Sequence, residues 1–170
     1  GLKTWSERNF EKDLGDIGPK TYDKVCELLL RLKANMLAPA MHTCTGAFYS
    51  HPDSQVAADK WGIMITTSHC EPLLFNNAAP SEWDSARDGE WNYITNGETI
   101  VKKLDDRIRE TAEYDNIYTM GMRGLHDEAM KGSEDPTVRA RTLEKVFQVQ
   151  REILEKYKGM PADQIRQIFV

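Results

Sequence analysis

Apolar positions along this 170-residue chain follow two alternating rhythms, one of helical period and one of strand character. The helical rhythm is first clear after Gly18-Pro19, where Tyr22, Val25, Leu28, Leu29 and Leu32 recur at three- and four-residue spacing. Proline's fixed φ suits a first helical turn, so an amphipathic helix is predicted to start there. Met36 to Met41 is a short apolar run bounded by polar residues, which predicts a buried strand with Pro39 at its end. Ser54 to Trp61 reads as a second, shorter helix, and Trp61 to Thr67, β-branched after the Gly62 break, as a second strand.

The alternation continues to the last residue. A long polar stretch, Asn76 to Asn96, precedes a helix with the stripe Ile100, Val101, Leu104, Ile108 and Ala112. Asn116 to Met122 predicts a third strand. Asp135-Pro136 supplies an N-cap and a first-turn proline for a helix that carries Leu143, Val146, Phe147, Ile153, Leu154 and Tyr157 to Gly159. Pro161 opens a short turn before Gln167 to Val170, read as a fourth strand. No fixed-length repeat occurs.

Strands alternating with helices imply about four β/α units with parallel strands, in an open sheet or a (β/α) barrel. Side chains able to do chemistry sit just after the strands: His42, then His69 with Glu71, then Arg123 with Asp127. TIM barrels build their active sites at that end of the strands, although open α/β sheets also bind ligands there. The expectation is an α/β fold, a partial TIM barrel.

Composition narrows the function classes. Lys and Arg number 22 against 27 Asp and Glu, scattered to a net charge of -5, so no basic stripe is present to meet a phosphate backbone, and no nucleic-acid partner is expected. The longest apolar runs fall well short of the roughly 20 residues a bilayer span needs, so no membrane partner is expected either. Gly1-Leu2-Lys3-Thr4-Trp5 has neither an initiator methionine nor a signal-peptide pattern, which suggests that the natural N-terminus lies upstream. Cys26, Cys44 and Cys70 form no CxxC pair and read as small buried apolar residues. The four histidines show no HExxH or i,i+4 spacing, so no metal or other cofactor is expected, and no GxSxG, Walker A or GxGxxG motif occurs.

The remaining candidates suit a sugar acid. In Arg123-Gly124-Leu125-His126-Asp127 a guanidinium able to grip a carboxylate in two-pronged fashion lies beside a carboxylate able to do acid or base work. An internal Arg123–Asp127 ion pair closing the loop is an equal alternative. His69 and Glu71, two residues apart, would point to one side of an extended loop, yet a packed His and a solvated Glu would read the same way. Asn76, Asn77, Trp83, Trp91 and Asn92 offer amides and aromatic faces of the kind that bind sugars, or that anchor a long loop on itself.

An ordered set of segments resembles glycoside hydrolase family 115: Leu28 to Asn35 leading to Pro39-Ala40-Met41, Ser68-His69-Cys70-Glu71-Pro72, Asn76-Asn77, Gly89 to Tyr93, and Tyr118 to Gly124 with His126-Asp127. The resemblance spans most of the chain. It implies that residues 1–170 are the central segment of the catalytic barrel domain of a larger multidomain enzyme. It further implies an activity that removes α-1,2-linked (4-O-methyl)glucuronic acid from xylan with inversion. Inversion uses two carboxyl groups about 6.5–9.5 Å apart. By motif, Asp127 and His69 match active-site residues, and Glu71, in the same motif as His69, is a further catalytic candidate or a support for its neighbours. Arg123 matches the substrate arginine, and His42, Asn77, Trp91, Asn92 and His126 are further candidates for substrate contact. Ala38 to His42 departs from the family by lacking aromatic residues at that strand end. The implied partners are glucuronoxylan or aldouronic acid oligosaccharides, with a homodimer of the full-length enzyme as a compatible assembly, in an extracellular or periplasmic location. The 170 residues alone are expected to be inactive. Rival readings are a noncatalytic carbohydrate-binding α/β module and a uronate-acting barrel lyase or isomerase.

Overall fold

A computed structural model describes residues 1–170. Six helices are present: α1 (Leu2–Asn9), α2 (Pro19–Arg31), α3 (Asp53–Lys60), α4 (Ser85–Asp88), α5 (Tyr93–Thr111) and α6 (Pro136–Lys158). They alternate with four short strands, β1 (Met36–Leu37), β2 (Met64–Ile65), β3 (Tyr118–Met120) and β4 (Gln167–Phe169). No helix is long and apolar enough to cross a membrane.

All strand neighbours are parallel and follow chain order. Met36 pairs with Met64 and Leu37 with Ile65; Tyr118, Thr119 and Met120 pair with Gln167, Ile168 and Phe169. A single parallel bridge, Ile65 to Asn116, joins the two pairs, with Ile117 N donating to Ile65 O over 2.9 Å. Each crossover carries helix, as parallel pairing requires. Within these residues β1 and β4 have no strand on their outer sides, so the predicted partial barrel is seen as four parallel β/α units and no closed barrel is formed. Closure needs a full ring of tilted, staggered strands.

The strands are shorter than their apolar runs. β1 stops at Leu37 because Pro39, two residues on, lacks the N–H that would continue the ladder. Helix ends match their chemistry more closely. Asp135 Oδ1 accepts from Thr137 N over 2.8 Å ahead of Pro136, and Gly159, at φ 66, turns the chain out of α6 in the left-handed region. α2 begins at Pro19 as predicted, but the side it buries is Thr21, Tyr22 and Cys26. α3 packs on that side, leaving Leu28 and Leu32 exposed.

Two cores result. The larger joins α5 and α6 to β3 and the loop after β2 through Leu73, Leu74, Phe75, Trp91, Ile100, Leu104, Ile108, Tyr118, Met120 and Leu154. The smaller joins α2, α3 and β2 through Tyr22, Cys26, Phe48, Ala58, Ile63 and Ile65. Each fully buried Leu or Ile contributes roughly 1.5–3 kcal/mol. Cys26 and Cys70 are buried as expected, whereas Cys44 is exposed in the loop after β1. At the edge of the larger core Arg107 of α5 pairs with Glu82 over 2.7 Å and lies over the Tyr49 ring, 4.7 Å from its centroid.

Candidate active site

Along β3 the side chains alternate, as a strand demands. Tyr118 and Met120 enter the helix-facing core. Thr119 lies on the other face, where its hydroxyl donates to Thr67 O over 2.8 Å and accepts from Thr67 Oγ1 over 3.2 Å. The ends of β2 and β3 are thereby tied together, and the loops that follow them are brought side by side.

In those loops a carboxylate is shared. Asp127 Oδ1 accepts from His69 Nε2 over 2.5 Å, and its Oδ2 lies 3.0 Å from His126 Nδ1. The far nitrogen of His126, Nε2, is 3.2 Å from Nδ1 of His42, and the two rings stack with centroids 5.1 Å apart. A carboxylate can only accept, so the His69 nitrogen bonded to Asp127 carries hydrogen, while His126 Nδ1 lies within ion-pair distance of the same carboxylate. His42, His126, Asp127 and His69, drawn from the loops after β1, β2 and β3, form one continuous polar chain.

Arg123 closes on the same group. Its Nη2 donates to the Asp127 carbonyl oxygen over 3.1 Å, and Nη1 lies 3.7 Å from Oδ1. The Arg123–Asp127 ion pair considered as an alternative reading is therefore present, while the guanidinium stays partly open to solvent. Asp127 is held below the usual carboxylate range. The His69 hydrogen bond is the largest cause, opposed by desolvation and supported by the charges of His126, His69 and Arg123. At neutral pH it is an anion with open lone pairs.

Glu71 behaves in the opposite way. It is buried, and desolvation pushes its carboxyl up to about 7, offset in part by hydrogen bonds from Ser68 and Asn76 and reinforced by the charge of Glu82. Its Oε2 accepts from Ser68 N over 3.1 Å, directly before His69. Glu71 thus braces the His69 loop from behind.

Three other candidates, for which the sequence left both sugar contact and anchoring of the loop on itself open, face inward. Trp91 is 1% exposed, stacks on Phe75 at 6.0 Å and meets Trp83 edge-on at 4.8 Å, and its Nε1 donates to Arg123 O over 3.0 Å. Asn92 is buried and caps α5, its Oδ1 accepting from Ile94 N over 3.1 Å. Asn77 is 2% exposed, with both ends of its amide spent on the β3 loop. The physical reason is common to all three: burying an aromatic or amide side chain is favourable once its polar atoms find partners inside the chain.

Sequence reasoning missed Gln150. It is 1% exposed on α6, four residues from both Val146 and Leu154, and it bonds both backbone groups of Gly121 at the end of β3. A polar residue at a stripe position was the available signal. His, Cys, Asp and Glu side chains form no group of three or more arranged to hold a metal ion.

Carboxylate, imidazoles and guanidinium gather where the parallel strands of an α/β protein end, an arrangement chemically able to exchange protons and to pair with an anionic group. The family model described as Glycosyl hydrolase family 115 matches residues 1–170, and the chain belongs to that family. A similar solved structure is a family GH115 4-O-methyl-α-glucuronidase with specificity for decorated arabinogalactans. It is 38% identical, with a TM-score of 0.90, over 98% of this chain. The chain spans 22% of that protein's length. No curated protein matches the chain.

Proposed function

We propose that this chain is the central part of the catalytic (β/α) barrel of a larger, multidomain glycoside hydrolase. The reaction is removal of α-1,2-linked glucuronic or 4-O-methylglucuronic acid side groups from xylan, with inversion. The observation that carries the proposal is Asp127, held ionised by His69, His126 and Arg123 at the end of β3 in a family 115 chain. An anion so held accepts a proton rather than giving one. Asp127 therefore takes the base role, activating water opposite the leaving group, or it grips a sugar hydroxyl. Inversion then calls for an acid about 6.5–9.5 Å away, which we assign to a part of the enzyme outside these residues.

Arg123 binds the uronate. Its planar fork matches a carboxylate and is already partly solvent-facing, so a substrate carboxylate can replace its contact with Asp127. His69 and His126 orient Asp127, and His42 extends the polar chain toward the β1 loop. We assign the enzyme to the extracellular or periplasmic space, where its polymer substrate lies, with a homodimer as the assembly of the full-length enzyme. A second reading of the glycan is favoured by one observation: the 38% identical relative is described as specific for decorated arabinogalactans. On that reading the same uronate is cut from a galactan rather than a xylan.

The test is assay of the full-length enzyme on glucuronoxylan, on aldouronic acids and on decorated arabinogalactan, with proton NMR of the fresh anomer. Release of glucuronic acid with inverted configuration from the xylan substrates supports the first reading, and release from arabinogalactan alone supports the second. An unsaturated, ultraviolet-absorbing product would point to a lyase; binding without product would point to a carbohydrate-binding module.

A further inference from the structure

We infer that Asn77 is a positioning residue which sets the geometry of Asp127 and His126 by clamping the backbone between them and Gly124. This rests on the reading of Asp127 given above. Asn77 Nδ2 donates to Gly124 O over 3.0 Å, and its Oδ1 accepts from His126 N over 3.3 Å. One buried amide thus spans both ends of the Gly124–His126 segment, from a loop 47 and 49 residues earlier in the chain.

The segment needs such a clamp. His126 sits at φ 51, in the left-handed region that a side chain rarely adopts, and nothing in its own residue type enforces it. Gly124 is cramped: a Cβ there would lie 2.5 Å from Ala129 O, because its N–H donates to Glu128 O in a tight turn. The loop is fixed on its far side by that turn and on its near side by Trp91 Nε1 at Arg123 O. Only Asn77 reaches His126 N, and the next residue is Asp127. Rotating the peptide at His126 would swing its ring away from His42 and the Asp127 carboxylate away from His69. With both ends of its amide bonded to the loop and its side chain 2% exposed, Asn77 offers no accessible edge to a sugar, so its effect falls on turnover and not on substrate affinity.

The full-length enzyme is compared as wild type, Asn77→Ala and Asn77→Asp, reading kcat and KM across pH together with hydrogen exchange of the 123–128 peptide. In Asn77→Ala, kcat is expected to fall about 10- to 100-fold, the range for a misplacement of about 1 Å, with KM little changed and faster exchange over 125–127. Asn77→Asp is nearly isosteric, which separates clamping from folding. Its carboxylate repels Gly124 O at neutral pH but donates to it once protonated, so the ratio of its kcat to wild type should rise on acidification. A kcat ratio near one for Asn77→Ala overturns the inference, as does a loss confined to KM, which would make Asn77 a substrate ligand. If wild type releases no glucuronic acid, the proposed function fails. Exchange then decides the clamp alone: faster in Asn77→Ala upholds it, and unchanged removes it.

Discussion

Gln150 of α6 meets Gly121 from both sides: its Nε2 donates to Gly121 O over 2.7 Å, and Gly121 N donates to its Oε1 over 2.9 Å. Gly121 follows the last residue of β3 at φ 120, and a Cβ there would lie 2.6 Å from Val170 O. The chain leaves the ladder at this point, and one side-chain amide replaces the lost strand partner. Gln150→Leu would bury both backbone groups unpaired. At roughly 1–3 kcal/mol for each unsatisfied group, a loss of about 2–6 kcal/mol is expected by denaturant unfolding of the full-length enzyme. Stability within 0.5 kcal/mol of wild type would show that Gly121 finds other partners.

That clamp also marks the boundary of what the sequence could reveal. α6 was legible to within a residue, since Asp135, Pro136 and Gly159 each carry a stop or start signal of their own. The start of α5 at Tyr93 was not, because its first turn, Tyr93 to Asn96, has no apolar stripe and its cap, Asn92, lies in a stretch that reads as loop. A kink at Asn96 blurs the period further. α1 and α4 were missed for the same want of periodicity. Strand order and direction were readable from the alternation, while the exposure of Leu28 and Leu32 depends on which side α3 covers, a tertiary choice. For the site, residue types and loop positions were visible. The pairing of His42 with His126 across 84 residues was not, and for Trp91 the sequence left sugar contact and an inward anchor equally open, since periodicity says nothing about loops.

Asp127 carries the proposed chemistry, and its environment makes a prediction about pH. Asp127→Asn should lower kcat by about 10²–10⁴, the usual worth of a general base. His69→Phe is the more informative change. The His69 hydrogen bond is the largest influence lowering the Asp127 pKa, so its removal should raise that pKa and move the acid limb of the kcat/KM profile to higher pH. An acid limb that stays in place would show that another group controls it.

Arg123 separates charge from geometry. Arg123→Lys keeps the cation but loses the planar fork, and a hydrogen bond to a charged group is worth roughly 1.5–3 kcal/mol. KM for a glucuronosyl oligosaccharide should rise about 10- to 100-fold with a smaller change in kcat. A substrate with its uronate amidated provides the check: wild type should discriminate strongly against it, and Arg123→Ala should not. Equal discrimination by both would place the uronate elsewhere.

Glu71 should make stability fall as pH rises. Its pKa is raised from 4.5 to about 7 in the folded chain by burial, so the folded state holds the proton more tightly than the unfolded one. The stabilisation is complete below about pH 4.5 and is lost progressively as pH rises to about 7, above which no further change comes from this group. At about 1.4 kcal/mol per pKa unit, the swing is on the order of 3 kcal/mol. Glu71→Gln keeps the acceptor for Ser68 N and cannot ionise, so its melting temperature should vary less between pH 4.5 and 7 and should exceed wild type at pH 8. Parallel melting curves for the two proteins over that range would mean that the buried carboxyl is ionised at little cost, with Ser68 and Asn76 supplying enough hydrogen bonding to hold its charge.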